Sequence, residues 1–382
     1  LALTYSNTKN VYAPLSNNAG YQGSLLGAAL QFNPTNPVYN ANGSFFQPGD
    51  QRNPVQMLHY FDDQDYINRL LSNLSASYQI TKGLSYKIVF GYDNSKSVRT
   101  AFADPRLGSN AYGGTINIWG RDLGNGIQGN GRMTEQTLNN KSTLLEQYLT
   151  YDKDFGNSNL NAVLGFSNQS FQSEYEGRVG WGLATPVVAP TDVFVKNAEG
   201  FKNYAKFVPG FDKNTLQSFF GRVNYSISDK YFLTATLRAD GSSKFGENNR
   251  YGVFPAFAFK WRAMQEESVQ KLLGNVLSDL SVRANYGVLG SQDNLGSYAA
   301  LNLQAKFDPV TGTVDGPNAV TRFVQQGNPD LRWEQVATTG FGIDLVSKNR
   351  RLAMTIDYYN TKRSNMLFFA PTPGGFAPQA FW

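Results

Sequence analysis

Leu84-Ser85-Tyr86-Lys87-Ile88-Val89-Phe90-Gly91-Tyr92-Asp93 alternates residue by residue: Leu84, Tyr86, Ile88, Phe90 and Tyr92 make an apolar row, and Ser85, Lys87, Val89, Gly91 and Asp93 make the other. Successive side chains of a strand point to opposite faces, so a period of two marks a strand with one greasy side. Outward from this stretch the pattern recurs. Phe219, Gly221, Val223, Tyr225 and Ile227 alternate with Phe220, Arg222, Asn224, Ser226 and Ser228; Leu280, Val282, Ala284, Tyr286 and Val288 alternate with Ser281, Arg283, Asn285 and Gly287; Leu352, Met354, Ile356 and Tyr358 repeat it. Arg222, Arg283 and Asp357 thereby fall opposite the aliphatic stripe.

Short turn-forming stretches join these segments in pairs at Thr81-Lys82-Gly83, Gly156-Asn157-Ser158-Asn159, Ser228-Asp229-Lys230 and Lys348-Asn349-Arg350, and read as hairpins. Other connections are long and rich in Gly, Pro and Asn. Roughly ten strands are expected, with long extracellular loops near 1–65, 104–140, 182–214 and 293–330. Gln265 to Leu273 places acids first and apolar residues at helical spacing, which predicts a short helix near 265–274.

Composition supports strands and narrows the rest. The 382 residues are 41% hydrophobic and 14% aromatic but only 16% charged, against roughly 25% in a typical soluble domain. Cysteine is absent, which excludes a disulfide framework, a thiolate metal site and a cysteine nucleophile. The net charge of +5 is spread without a basic block, so no nucleic-acid partner is expected. No apolar run reaches the ~18 residues of a membrane helix, so any membrane span is made of strands.

Alternation alone does not say whether the apolar face meets lipid or a protein core. Segment length does: 141–155 paired with 160–180 exceeds the usual five or six residues of a soluble strand. Tyr and Phe also gather toward segment ends, as at Tyr148 and Tyr151, Tyr231 and Phe232, Tyr358 and Tyr359, in the manner of interfacial girdles. The fold expected is all-β, part of a large antiparallel transmembrane barrel. The chain starts at Leu1 without an initiator Met or signal peptide and stops at Ala380-Phe381-Trp382, and both ends read as cuts through a larger protein.

The stretch from Tyr231-Phe232-Leu233-Thr234-Ala235-Thr236-Leu237-Arg238-Ala239-Asp240-Gly241-Ser242-Ser243-Lys244-Phe245-Gly246 to Asn248-Asn249-Arg250-Tyr251-Gly252-Val253-Phe254-Pro255 resembles the barrel signature of the SusC/RagA family of TonB-dependent transporters. Similar blocks appear in family order along the chain, including Asn33-Pro34-Thr35-Asn36-Pro37 upstream and Val282-Arg283-Ala284-Asn285-Tyr286-Gly287, Asn328-Pro329-Asp330-Leu331-Arg332-Trp333-Glu334 and Asp357-Tyr358-Tyr359 downstream. Ser291 departs from the pattern, where Asn is expected. The family's plug domain, TonB box and closing strands lie outside this sequence.

The resemblance implies active import across the outer membrane of glycans or oligopeptides, powered by TonB and its inner-membrane motor. It also implies a SusD-like lipoprotein as partner, and neither catalysis nor a cofactor. A siderophore or cobalamin receptor without a lipoprotein lid is the near rival. A soluble all-β carbohydrate-binding or adhesin module is the distant one. Within the signature, Asp240-Gly241-Ser242-Ser243 predicts a bulge or bend at the membrane edge, with Phe245-Gly246 resuming the strand. Arg238, Asp240, Lys244 and Arg250 are then expected to crowd one lumen or rim charge network.

Other motifs carry less. Gly124-Asn125-Gly126-Ile127-Gln128-Gly129 matches a dinucleotide fingerprint in form, but without the strand, helix and acid of a βαβ unit it reads as a loop tip. His59 is the one histidine, so no histidine metal cluster or Ser-His-Asp triad can be assembled, and a polar or interfacial role is expected. Asp62, Asp63 and Asp65 lack the glycine and closing glutamate of a calcium loop. Glu174 and Glu176 share a strand face as an acid pair, with no cleft to make them a glycosidase couple.

Overall fold

The structure, a computed structural model, describes residues 1–13, 25–49, 51, 53–103, 117–118, 121–122, 132–183, 201–206, 209–293, 295–307, 320–370 and 380–381. The alternating segments become one antiparallel sheet of twelve strands. In chain order these are β1 (Ala2–Val11), β2 (Phe61–Thr81), β3 (Leu84–Ala103), β4 (Arg132–Asp154), β5 (Ser158–Leu183), β6 (Phe201–Lys206), β7 (Gly210–Ile227), β8 (Tyr231–Ser242), β9 (Tyr251–Arg262), β10 (Leu277–Ser291), β11 (Glu334–Ser347) and β12 (Ala353–Ser364). Each long strand pairs with the next in sequence, and only β6 stands off this path, against the end of β5.

Register turns separate stripes into one surface. Leu149, Leu164, Gly221, Leu237 and Pro255 are successive partners across β4, β5, β7, β8 and β9. Tyr225, Leu233, Phe259, Ala284, Phe341 and Tyr358 continue such a row from β7 to β12. These side chains stay open: Leu164 is 64% exposed, Leu237 56% and Phe341 56%. A soluble monomer rarely leaves more than a few hundred Å² of contiguous apolar surface bare. A face this broad matches hydrocarbon, not water.

At one end the reversals are tight. Ser228 and Asp229 both take positive φ, 51° and 55°, as a I′ turn demands, and the Lys230 N–H donates to the Ile227 carbonyl at 2.9 Å. Gly83, at φ 88°, is fixed twice over, because a Cβ there would lie 2.3 Å from the Asp152 carbonyl oxygen. Between β9 and β10 a helix, α1 (Glu267–Leu273), hangs from the same end. It is anchored by Glu266, which accepts from the Tyr231 hydroxyl at 2.7 Å and from Lys230 at 3.1 Å. Those two donors hold the Glu266 carboxyl below the usual carboxylate range.

Three expectations change. First, 1–65 is not all loop, for β1 pairs with β2 along its whole length, Ala2 with Asn73 through Val11 with Gln64. Second, β4 begins at Arg132 and β7 at Gly210, inside ranges read as loops. The upper ends of these strands carry polar residues on both faces (Glu135, Thr137 and Asn139 against Thr134, Gln136 and Asn140), so the alternation fades although the ladder continues. Third, the signature forms no bulge in a continuing strand: β8 ends at Ser242, Glu247–Asn249 makes a 3-10 turn, and β9 starts at Tyr251. The dinucleotide-like motif at 124–129 lies outside the described residues.

Phe245 does not resume the strand because it turns inward and is buried. It packs on Trp333 at 4.8 Å between ring centroids, and Phe254 meets the same indole edge-on at 5.5 Å. Leu295, Ala299 and Leu331 complete this small core at the long-connection end. The Trp333 indole N–H and the Ser242 backbone N–H both donate to the Arg250 carbonyl, at 3.0 and 3.1 Å. The signature is therefore a corner that clamps later chain to earlier chain.

A charge tests the sidedness. In the full-length protein, Leu237→Lys is expected to cost about 2–4 kcal/mol in denaturant unfolding from lipid vesicles. Thr236→Lys, on the opposite face, should cost far less; equal losses would mean that the sheet is not lipid-sided.

Candidate functional site

Opposite the apolar surface, the same alternation gathers the polar rows into a wall lined with paired charges. Arg69 meets Asp93 at 2.6 Å and Arg99 meets Asp63 at 2.6 Å, each arginine reaching the neighbouring strand with two nitrogens. Asp65 accepts from the Ser97 hydroxyl at 2.6 Å. Farther round, Arg283 on β10 bridges Asp344 on β11 at 2.8 Å and Asp357 on β12 at 3.0 Å. Arg283, Gly342 and Asp357 are successive partners in one row, so the guanidinium crosses β11 over the glycine. A Cβ at Gly342 would sit 2.5 Å from an Asp357 oxygen and 2.9 Å from an Arg283 nitrogen.

The signature's charges divide. Arg238 and Asp240 share the polar face of β8 and pair at 2.7 Å, with Arg238 also donating to Ser218 Oγ at 2.8 Å and lying 5.3 Å from the Phe220 ring centroid. Lys244 and Arg250 sit instead in the corner between β8 and β9, where they serve through backbone: the Lys244 N–H donates to Ser242 Oγ, and the Arg250 carbonyl accepts as described above. The four residues do not form one network. A turn separates them, so strand parity does not carry from the first pair to the second.

The lesser candidates also find places. His59 closes α2 (Pro54–His59) and packs in an aromatic group, 5.6 Å from Phe45 and 4.9 Å from Tyr60. Parity turns Asp62 away from Asp63 and Asp65, and Arg99 takes the Asp63 carboxylate. Glu174 and Glu176 lie on the outward face of β5, where Glu174 accepts from Gln172 at 2.7 Å and Asn139 at 3.4 Å.

What sequence reasoning missed is a cavity of 410 Å³ on the wall, lined by Arg69, Asp93, Asn140, Phe171, Asp212 and Asn214 among others. Five strands supply these residues, so only register brings them together. Amides, a paired arginine and carboxylate, a second carboxylate and one aromatic ring can hold a hydroxyl- or amide-rich solute by hydrogen bonds and ring contact.

Residues 4–381 match the family described as TonB dependent receptor-like, beta-barrel. The chain belongs to that family. TonB-dependent receptor P3 of Formosa agariphila is 30% identical over 356 residues, spanning 92% of this chain and 33% of its own length. TonB-dependent receptor SusC of Bacteroides thetaiotaomicron is 27% identical over 407 residues, spanning 97% and 36%. The RagAB peptide importer in its closed-closed state shares the fold at a TM-score of 0.70 and 19% identity, over 99% of this chain and 40% of that one. The chain thus spans 33% to 36% of these two curated relatives' lengths. A TonB-dependent receptor barrel of the SusC/RagA kind lies in the outer membrane and crosses it with strands, and among the described residues no helix is long and apolar enough to cross.

Removing Arg238 leaves Asp240, whose side chain is 13% exposed, without its cation. Arg238→Ala is expected to lower unfolding stability by about 1–3 kcal/mol. The double variant R238A/D240A should recover more than half of that loss, read as the unfolding midpoint of the full-length protein in detergent. An additive double variant would show that the two side chains do not act as a pair.

Proposed function

We propose that the protein containing this chain imports nutrients actively across the outer membrane. Its cargo is a glycan or an oligopeptide, taken up with energy from TonB and its inner-membrane motor, beneath a SusD-like surface lipoprotein that acts as a lid. The observation that carries this reading is the match of nearly the whole chain to the TonB-dependent receptor barrel, with SusC among its relatives and a peptide importer sharing its fold. The wall agrees physically. Several of its charges are paired, and the amides, hydroxyls and Phe171 ring beside them are open to reversible contact with a polar solute. The cargo passes unaltered, and no cofactor is required.

The long-connection end faces the cell exterior, as is usual for outer-membrane barrels with short periplasmic turns. On this reading the corner built by Phe245 and Trp333 braces the outer mouth, and α1 hangs on the periplasmic side.

Deleting the gene is expected to abolish growth on one polymeric glycan or on oligopeptides as sole source. A tagged protein should co-purify a SusD-like lipoprotein. Loss of ferric-siderophore or cobalamin uptake alone, with no lipoprotein partner, would replace this reading by that of a lidless receptor.

A further inference from the structure

The 410 Å³ cavity on the wall falls within the roughly 300–1,000 Å³ of small-molecule sites. Register gives its floor a definite plan. Asn140, Ser173 and Asp212 are successive partners across β4, β5 and β7, and in the next row of the same face Ser142, Phe171 and Asn214 are. Neighbouring strands stand about 4.8 Å apart, and same-face residues about 6.8 Å apart along a strand. Phe171 thus has Ser142 and Asn214 at its sides and Asn140 and Asp212 at the diagonal corners, about 8 Å away between backbones.

The ring and its neighbours are open. Phe171 is 38% exposed, and among the described residues no other ring packs on it. The side chains of Asn140, Ser142, Ser173 and Asp212 make no hydrogen bond or ion pair with any described residue. Asn214 donates its amide N–H to Ser297 Oγ at 3.0 Å, which leaves its side-chain carbonyl as an acceptor.

Charge and shape then narrow the solute. Arg69 is committed to Asp93 through two nitrogens, and parity turns Lys141 to the other face of β4. The ionised group left open in the cavity is the Asp212 carboxylate, which repels a uronate or a sulfate ester. No aliphatic side chain lines the cavity, and the backbone groups of its strands are taken up by the ladder. A peptide therefore finds neither apolar pockets for its side chains nor a free strand edge to pair with. A pyranose ring carries C–H groups on its faces and hydroxyls around its rim. It matches an exposed aromatic ring with amide, hydroxyl and carboxylate groups beside it.

We propose that this cavity is a subsite for one sugar ring of an uncharged glycan, with Phe171 as the stacking platform and Asn140, Asp212 and Asn214 as partners of the sugar hydroxyls. The assignment rests on the import reading and narrows its cargo from glycan or oligopeptide to neutral glycan.

Full-length protein as isolated in detergent, its folding checked by heat-modifiable gel mobility, is titrated calorimetrically with three groups of probes. These are the neutral sugars maltohexaose, cellohexaose, laminarihexaose, mannohexaose and xylohexaose; the acidic sugar hexagalacturonate; and a pool of mixed hexapeptides. At least one neutral sugar is expected to bind, Phe171→Ala to weaken it about ten-fold, and Phe171→Trp to retain it. Asp212→Asn should narrow the preference for neutral over acidic sugar at least about five-fold, a change of selectivity that a purely structural role would not produce. Phe155→Ala, which removes an exposed ring at the short-turn end, should bind as wild type does. Four results would each overturn the proposal: no neutral sugar bound, a wild-type preference for hexagalacturonate or peptides, full affinity in Phe171→Ala, or unchanged selectivity in Asp212→Asn. Growth of the deletion strain separates the two readings. A defect on oligopeptides alone would leave import standing and remove the sugar subsite, whereas no defect on any glycan or peptide would remove import itself.

Discussion

Hydrocarbon offers a peptide group nothing to bond with, and that constraint organises the whole chain. Every N–H and C=O within the membrane must find a partner in the protein, which for strands means an unbroken ladder from neighbour to neighbour. From β1 to β12 the ladder is continuous, with irregularities in register confined to strand ends at 79/81 and 277/279. Its outer edges, on β1 and β12, carry unpaired backbone groups among the described residues, and such edges are not tolerated in lipid. In the closed barrel of the family both must be covered by further strands, which agrees with relatives about three times as long.

Once the ladder fixes register, side-chain fate follows from parity alone. One parity carries leucines and aromatics to the acyl chains; the other carries Arg, Asp, Asn and Ser to the wall of the pore. Partly exposed ion pairs such as Arg69–Asp93 contribute little energy one by one. Their effect is to offset much of the local charge while keeping the wall wet, a surface that a polar solute can slide past.

Glycines set how closely the wall's bulky groups can lie. The Phe220 ring covers Gly165, its cross-strand partner, and the Phe254 ring covers Gly290 and Gly252; a Cβ at any of these would come within 2.5 Å of a ring carbon. Gly342 likewise lets Arg283 pass to Asp357. These interlocks explain why glycine recurs in otherwise alternating strands without breaking them. They also pin the corner at Ser242 to the later segment at Leu331 and Trp333.

Leu84 to Asp93 alone declares a two-sided strand, and the turns at Gly83 and Ser228-Asp229 declare hairpins, because both signals are local: side-chain alternation and the sign of φ need no distant partner. The sequence by itself thus determined an all-β barrel wall, its lipid face and the tight end of its hairpins. It hid the upper half of β4, where leaving the lipid removes the demand for an apolar face and the alternation with it, and it hid β1, at whose start Leu1, Leu3 and Tyr5 alternate over too short a run to stand out. Tertiary structure alone decided that Arg238 keeps Asp240 but not Lys244 or Arg250, and that five strands share one cavity. Such adjacency depends on register between strands far apart in the chain, and register is set by the summed pairing of whole ladders.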